Sequence, residues 1–236
     1  MGIIYSVLFL GILLATEPVK QDLSYHLLAD KRQWFFIPNF LDVVSNLFFI
    51  IIGVAGLLLA EKEGSEISLS WRVFFFGLIL VALGSMYYHW SPDNKSLVWD
   101  RLPMTISFMG LFVALFIENT AINVAEKNLL IMAVLLGLSS VVYWHFTDDL
   151  RFYGFVQFGT LTAIPLILYL YKNKDRQSRY LLYGLGFYIL AKVFEWADSF
   201  IFEQTGQMFS GHTIKHVTAA AATYCVYLML KKRQKV

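Results

Sequence analysis

Long apolar runs separated by short polar stretches set the rhythm of this chain. Blocks of roughly 18–22 mostly apolar residues lie near 40–60, 71–90, 102–120, 127–146, 153–171, 179–198 and 211–230. Each has the length needed to cross ~30 Å of hydrocarbon. A shorter block, IIYSVLFLGILLA at 3–15, precedes them. None of the blocks alternates with a strict period of two, and backbone groups in lipid must be satisfied within their own segment. Helices rather than barrel strands are therefore expected. The pattern predicts an all-α fold, a polytopic transmembrane helical bundle with a seven-helix core over 40–230 and an extra N-terminal helix over 3–15. Residues 1–236 read as a single membrane domain, with no soluble domain or low-complexity tract.

Composition supports that reading. Only 15% of the residues are charged and 58% are hydrophobic, whereas soluble domains carry about a quarter charged residues. The block at 3–15 has the apolar length of a signal-peptide core, but no Lys or Arg precedes it and no clear small-x-small cleavage site follows before Glu17. It is expected to be retained as a helix. The lone cysteine, Cys225, excludes an intramolecular disulfide and reads as a small packing residue. A formal net charge of +2 points to no nucleic-acid partner.

Basic residues orient the chain, because Lys and Arg in short loops stay cytoplasmic. The densest clusters are YKNKDRQSR at 171–179 and the tail KKRQK at 231–235, separated by two predicted helices and hence on one side. Placing both in the cytoplasm puts the 16–38 segment and the connections at 91–101 and 199–210 on the outside. The chain is expected to be an integral, multi-pass membrane protein with a cytoplasmic C-terminus.

The polar residues inside the apolar blocks gather at the outer ends. GSMYYHW (84–90) carries Ser85 and His89 four apart, and SGHTIKHVTAAA (210–221) carries His212 and His216 four apart. Residues at i and i+4 share a helix face, so two helices present imidazoles at the same depth. Asp100, in WDRLPMT, follows on the same side within a short connection of His89. A catalytic zinc needs three protein ligands and an open fourth position, and three histidines form one such set. A carboxylate such as Asp100 suits the removal of a water proton, and a hydroxyl such as Ser85 suits hydrogen bonding to a developing oxyanion. Ionisable groups within membrane helices are rare and usually functional; the competing reading is polar groups joining helices by hydrogen bonds.

Other polar positions read more plainly. His26 is expected at the interface and His145 in an aromatic belt. Glu195 is expected to pair with Lys192 on its own helix, Asp148, Asp149 and Arg151 form a polar turn, and Ser45 and Asn46 suit bridging between helices.

Together, Ser85-x3-His89, Asp100 and His212-x3-His216 resemble the motif set of the alkaline ceramidases, seven-helix membrane hydrolases of the CREST superfamily. The strings YHLLADKRQWFFIPNFLDVVSNL, GSMYYHWSPDNKSLVWDRLPMTI and SGHTIKHVTAA are similar to bacterial members, and the resemblance runs from about residue 25 to 230. It implies a zinc ion held by His89, His212 and His216, activation of water by Asp100, and stabilisation of the tetrahedral intermediate by Ser85. The substrate it implies is ceramide or a related N-acyl lipid embedded in the membrane, cleaved to a long-chain amine and a fatty acid. Eukaryotic members also have an acid-rich calcium site before the first core helix; here that region offers only Asp30, Asn39 and Asp42, without clean alignment, and Ca2+ is left open. Two alternatives stand beside the hydrolase: a zinc-containing receptor-like protein related to the adiponectin receptors, and a haem-binding bundle.

Overall fold

The computed structural model describes residues 15–62, 68–120, 124–170 and 179–233, together with Gly11 and Leu13. Most of the predicted helix at 3–15 and the basic stretch at 171–178 lie outside the described residues. Every described element is helical. A short 3-10 turn, Leu23–His26, precedes α1 (Phe40–Val44), α2 (Leu47–Ala60), α3 (Leu69–Trp90), α4 (Asn94–Asn119), α5 (Glu126–Thr147), α6 (Arg151–Leu170), α7 (Arg179–Trp196), α8 (Asp198–Gln204) and α9 (Gly211–Arg233). Helices thus occupy all seven predicted core positions, and the chain is an all-α helical bundle.

Among the described residues, five spans are long and apolar enough to cross a membrane: Phe40–Ala60, which joins α1 to α2, and then α3, α4, α5 and α6. With 22 residues, α3 is about 33 Å long, enough for the ~30 Å hydrocarbon layer. The helices α7 and α9 stand at the predicted places but carry more polar residues. Lys192 and Glu195 interrupt the first, and His212, Thr213, Lys215 and His216 interrupt the second. The polarity is sorted as lipid requires. Phe76, Leu83, Met132, Leu135 and Phe158 are exposed, while Asp42, Asn46, His89 and Ser210 are fully buried. Ionisable groups in such bundles face the protein interior.

Two boundaries move from their expected places, both for local chemical reasons. The helix expected at 102–120 begins at Asn94 because Asp93 caps it. The Asp93 carboxylate accepts from the Ser96 amide at 2.6 Å, and the Ser96 hydroxyl accepts from the Asp93 amide at 3.0 Å, closing a capping box. The Ser96 amide also holds the Asp93 carboxyl below its ordinary range. Asp100 consequently lies well inside α4 rather than at its start. The helix expected at 179–198 ends at Trp196, and Ala197 leads into the short α8.

The bundle is organised around two tight helix pairs, α3 with α4 and α7 with α9, and α9 also packs on α2. The α3–α4 approach has a specific origin. Pro103 lies inside α4 and has no N–H, so the carbonyl of Trp99, four residues earlier, has no helical donor there. Gly84 of α3 sits against that carbonyl: a methyl group added at Gly84 would lie 2.0 Å from the Trp99 oxygen. Their chain neighbours, Ser85 and Asp100, are thereby brought side by side. Gly84→Ala is expected to force the helices apart, costing about 1–3 kcal/mol, read as a lower midpoint in thermal unfolding.

Candidate metal centre and its polar chamber

Three buried imidazoles from two helices meet at one end of the bundle. His89 projects from the last turn of α3, and His212 and His216 from the first turns of α9. Each offers a ligand nitrogen, and these atoms all lie within 4.8 Å of one another. The Nε2 atoms of His89 and His212 are 3.3 Å apart. That is the nitrogen–nitrogen edge of a tetrahedral zinc site, about 3.3 Å for zinc–nitrogen bonds of ~2.0–2.1 Å. His89 finds no oxygen partner for either ring nitrogen: Nδ1 has none among the described residues, and Nε2 faces the imidazole of His212. A cation at the centre of the three rings would take His89 Nε2 together with His212 Nε2, while Nδ1 of His89 stays without a partner among the described residues. The donor set fits a metal ion. Ring centroids 4.7–5.0 Å apart leave no slot for a macrocycle between any two of the rings, which removes the haem alternative.

Local structure aims each ring. Gly211, the first residue of α9, packs against the end of α7 and the start of α8, where an added methyl would lie 2.3 Å from the Phe194 oxygen. This close approach lets Asp198 accept from the His212 amide at 2.8 Å, while its other oxygen accepts from the Ala29 amide at 3.1 Å. Ser45 and Asn46 stand at the break between α1 and α2. The Ser45 hydroxyl lies 2.8 Å from His216 Nδ1 and 3.2 Å from the Asp42 carbonyl. Donating to that carbonyl, it accepts from Nδ1–H, and this tautomer leaves the Nε2 lone pair of His216 free. Asn39 anchors the other helix by donating to the His89 carbonyl at 2.8 Å. Because groups that orient a ligand histidine tune its affinity, Ser45→Ala is expected to weaken metal binding about 10- to 100-fold, read by competition with a chromogenic chelator.

Asp100 and Ser85 belong to the same site. Both line a polar chamber that His216 also lines. Lys215, one residue before His216, points into it as well. Its ammonium lies 2.9 Å from His212 Nε2 and 3.0 Å from the Glu195 carboxylate. The single lone pair of Nε2 serves a lysine or a metal ion, not both, and Glu195 keeps Lys215 paired when the metal takes the nitrogen. Glu195 accepts further from Lys192 at 2.5 Å and from the Tyr25 hydroxyl at 3.0 Å. Burial, reinforced by the Glu195 charge, pushes the Tyr25 phenol well above its ordinary range and keeps it a donor.

The remaining expectations fall as follows. Glu195 pairs with Lys192 as expected, but the second ion pair, to α9, makes it a link between helices. His26 binds the Tyr88 hydroxyl at 3.0 Å and Asn94 at 2.9 Å, holding the Leu23–His26 turn over the bundle and apart from the three clustered histidines. His145 is exposed against Phe146, and Asp149 pairs with Arg151 at 2.7 Å in the polar turn. Asp30, Asn39 and Asp42 serve separate partners. Asp30 pairs with Arg32 at 2.6 Å, Asn39 holds His89, and Asp42 accepts from Ser210 at 3.1 Å and from Thr213 at 2.5 Å. Sequence reasoning missed Lys215 and Asp198 as parts of the site. Lys215 carried a signal, a lysine between two candidate ligands, whereas the role of Asp198 depends on the helix break at Ala197.

A protein-family model described as Ceramidase matches residues 34–234. The chain belongs to the ceramidase family. Membership makes this ceramidase-family chain a ceramidase-type hydrolase acting on amide bonds, with a lipid substrate, and it favours the hydrolase over the receptor-like alternative. None of the curated proteins compared with it matches.

Proposed function

We propose that this chain is a zinc-dependent hydrolase that cleaves the amide bond of ceramide or a closely related N-acyl lipid inside the membrane, releasing a long-chain amine and a free fatty acid. The observation that carries this reading is that two cavities of opposite polarity adjoin. The polar chamber with Ser85, Asp100 and His216 shares Phe49, Val81, Met104, Tyr188 and Ala219 with an apolar cavity that runs on past Phe74 and Leu111. A lipid amide has that division of polarity, with a scissile bond near the headgroup and a hydrocarbon chain beyond it.

His89, His212 and His216 would hold the zinc ion, which supplies Lewis acidity towards the amide carbonyl and lowers the pKa of water. Asp100 takes a proton from the attacking water as its oxygen bonds to the carbonyl carbon. The Ser85 hydroxyl donates to the oxygen that gains negative charge. Asp100 then returns the proton to the nitrogen as the carbon–nitrogen bond breaks, so the products are a carboxylic acid and an amine. With α7 and α9 inserted beside the five apolar spans, the bundle has seven crossings. Lys231, Lys232 and Arg233 in the last turn of α9 then mark the cytoplasmic end, and the histidines open towards the extracytoplasmic leaflet.

The test is mass-spectrometric detection of fatty acid released from ceramide and related N-acyl amines by the purified protein, before and after chelation and after zinc is restored. Release that stops on chelation and returns with zinc is expected. Release indifferent to chelation, or none from the zinc-loaded protein, would end the proposal.

A further inference from the structure

Two carboxylates, Asp100 and Glu195, and three cations, Arg101, Lys192 and Lys215, line the polar chamber. The two lysines share Glu195 at 2.5 and 3.0 Å. Asp100 shares the chamber with Ser85. Arg101 is left over: among the described residues it makes no ion pair. Its side chain is buried, with 8% of the residue exposed. Nη2 donates to the neutral Gln21 side chain at 2.7 Å, and Nη1 has no hydrogen-bond partner among the described residues. Three rings surround the guanidinium, Trp144 at 4.2 Å, Tyr153 at 4.9 Å and Tyr25 at 6.0 Å.

Asp100 lies near enough for its charge to act on Arg101 but makes no contact ion pair with it, and a buried guanidinium nitrogen left without an acceptor is costly. The aromatic cage offsets part of the cost and holds the guanidinium rigid, but it gives Nη1 no acceptor. Rigid, dry and turned into a substrate chamber, an arginine is suited to an oxyanion, for which its planar donors are shaped. We infer that Arg101 is the headgroup-recognition residue of this chamber and that the preferred substrate is an N-acyl amine carrying an oxyanion, a carboxylate or a phosphate, on its amine portion. Arg101 directly follows Asp100 on α4, so an anion bound there lies beside the group proposed to handle the proton. The apolar cavity leads away from the chamber and takes the acyl chain. The inference rests on the hydrolase reading for its amide and adds the class of headgroup.

Matched substrates test it. N-palmitoylserine and N-palmitoylserinol differ only by a carboxylate in place of a hydroxymethyl group, and N-palmitoylethanolamine with its O-phosphate separates phosphate from carboxylate. Wild-type protein is expected to show kcat/KM at least about tenfold higher for one or both anionic members than for the neutral partner. Arg101→Gln should bring that ratio close to one, and Arg101→Lys should keep part of it. Equal kcat/KM across both pairs in the wild type would overturn the inference even where no Arg101 variant folds, and so would a preference that survives Arg101→Gln. Thermal stabilisation of zinc-loaded protein by the same four lipids is measured in parallel. Selective stabilisation by the anionic members, without turnover of any of the four or of ceramide assayed beside them, would retire the hydrolase reading and keep the anion subsite. Turnover without selectivity would do the reverse.

Discussion

His212→Ala is expected to remove bound metal and turnover together. The substitution deletes one of three nitrogen donors that lie within 4.8 Å of one another, and two remaining imidazoles do not make a three-ligand catalytic site. The start of α9 should survive, because Asp198 accepts from the backbone amide of residue 212 and not from its ring. Lys215 also keeps Glu195 as its partner. Metal content by mass spectrometry should fall from about one zinc per chain to near zero, fatty-acid release should drop to background, and the circular dichroism of the helices should persist. A variant that keeps its zinc and its turnover would remove His212 from the ligand set.

The second large effect separates proton transfer from metal binding. Asp100→Asn preserves the size of the side chain, but an amide cannot accept the water proton. Zinc content should be unchanged, and kcat should fall by about 10²- to 10⁴-fold, the usual contribution of a positioned acid–base group. Chelator titration alongside steady-state kinetics distinguishes the outcomes. A normal kcat would exclude Asp100 as the proton acceptor, and a loss of zinc would make it a ligand. The contrast is informative because Asp100 lies outside the three-histidine group yet shares a chamber with His216.

Much of the architecture can be read from the chain, for a reason peculiar to lipid. A segment that crosses hydrocarbon must satisfy its own backbone, so an apolar run long enough to span is already committed to a helix. Helices accordingly occupy all seven predicted core positions. Boundaries were less legible where capping chemistry decided them, as at Asp93 and Ala197. Within one helix the candidate site was equally legible. Spacing alone places His212 and His216 on one face of α9, and Ser85 and His89 on one face of α3.

Contacts between helices were not legible. Lys192 and Glu195 are three residues apart on one helix and so could be paired from spacing, but the approach of Lys215 to Glu195 spans 20 residues and two helices. Spacing gives Arg101 in WDRLPMT no role, and only the surrounding rings and the unpartnered Nη1 single it out.

By itself, then, the order of amino acids determined that this protein is a membrane helix bundle and which imidazoles share a helix face, because hydrogen bonding in lipid and the pitch of a helix are local. Tertiary structure alone decided that His89 meets His212, that Ser85 and Asp100 share a chamber, and that Arg101 makes no contact ion pair among the described residues. Those outcomes depend on how closely backbones approach at Gly84 and Gly211, and that distance is set by the packing of residues far apart along the chain.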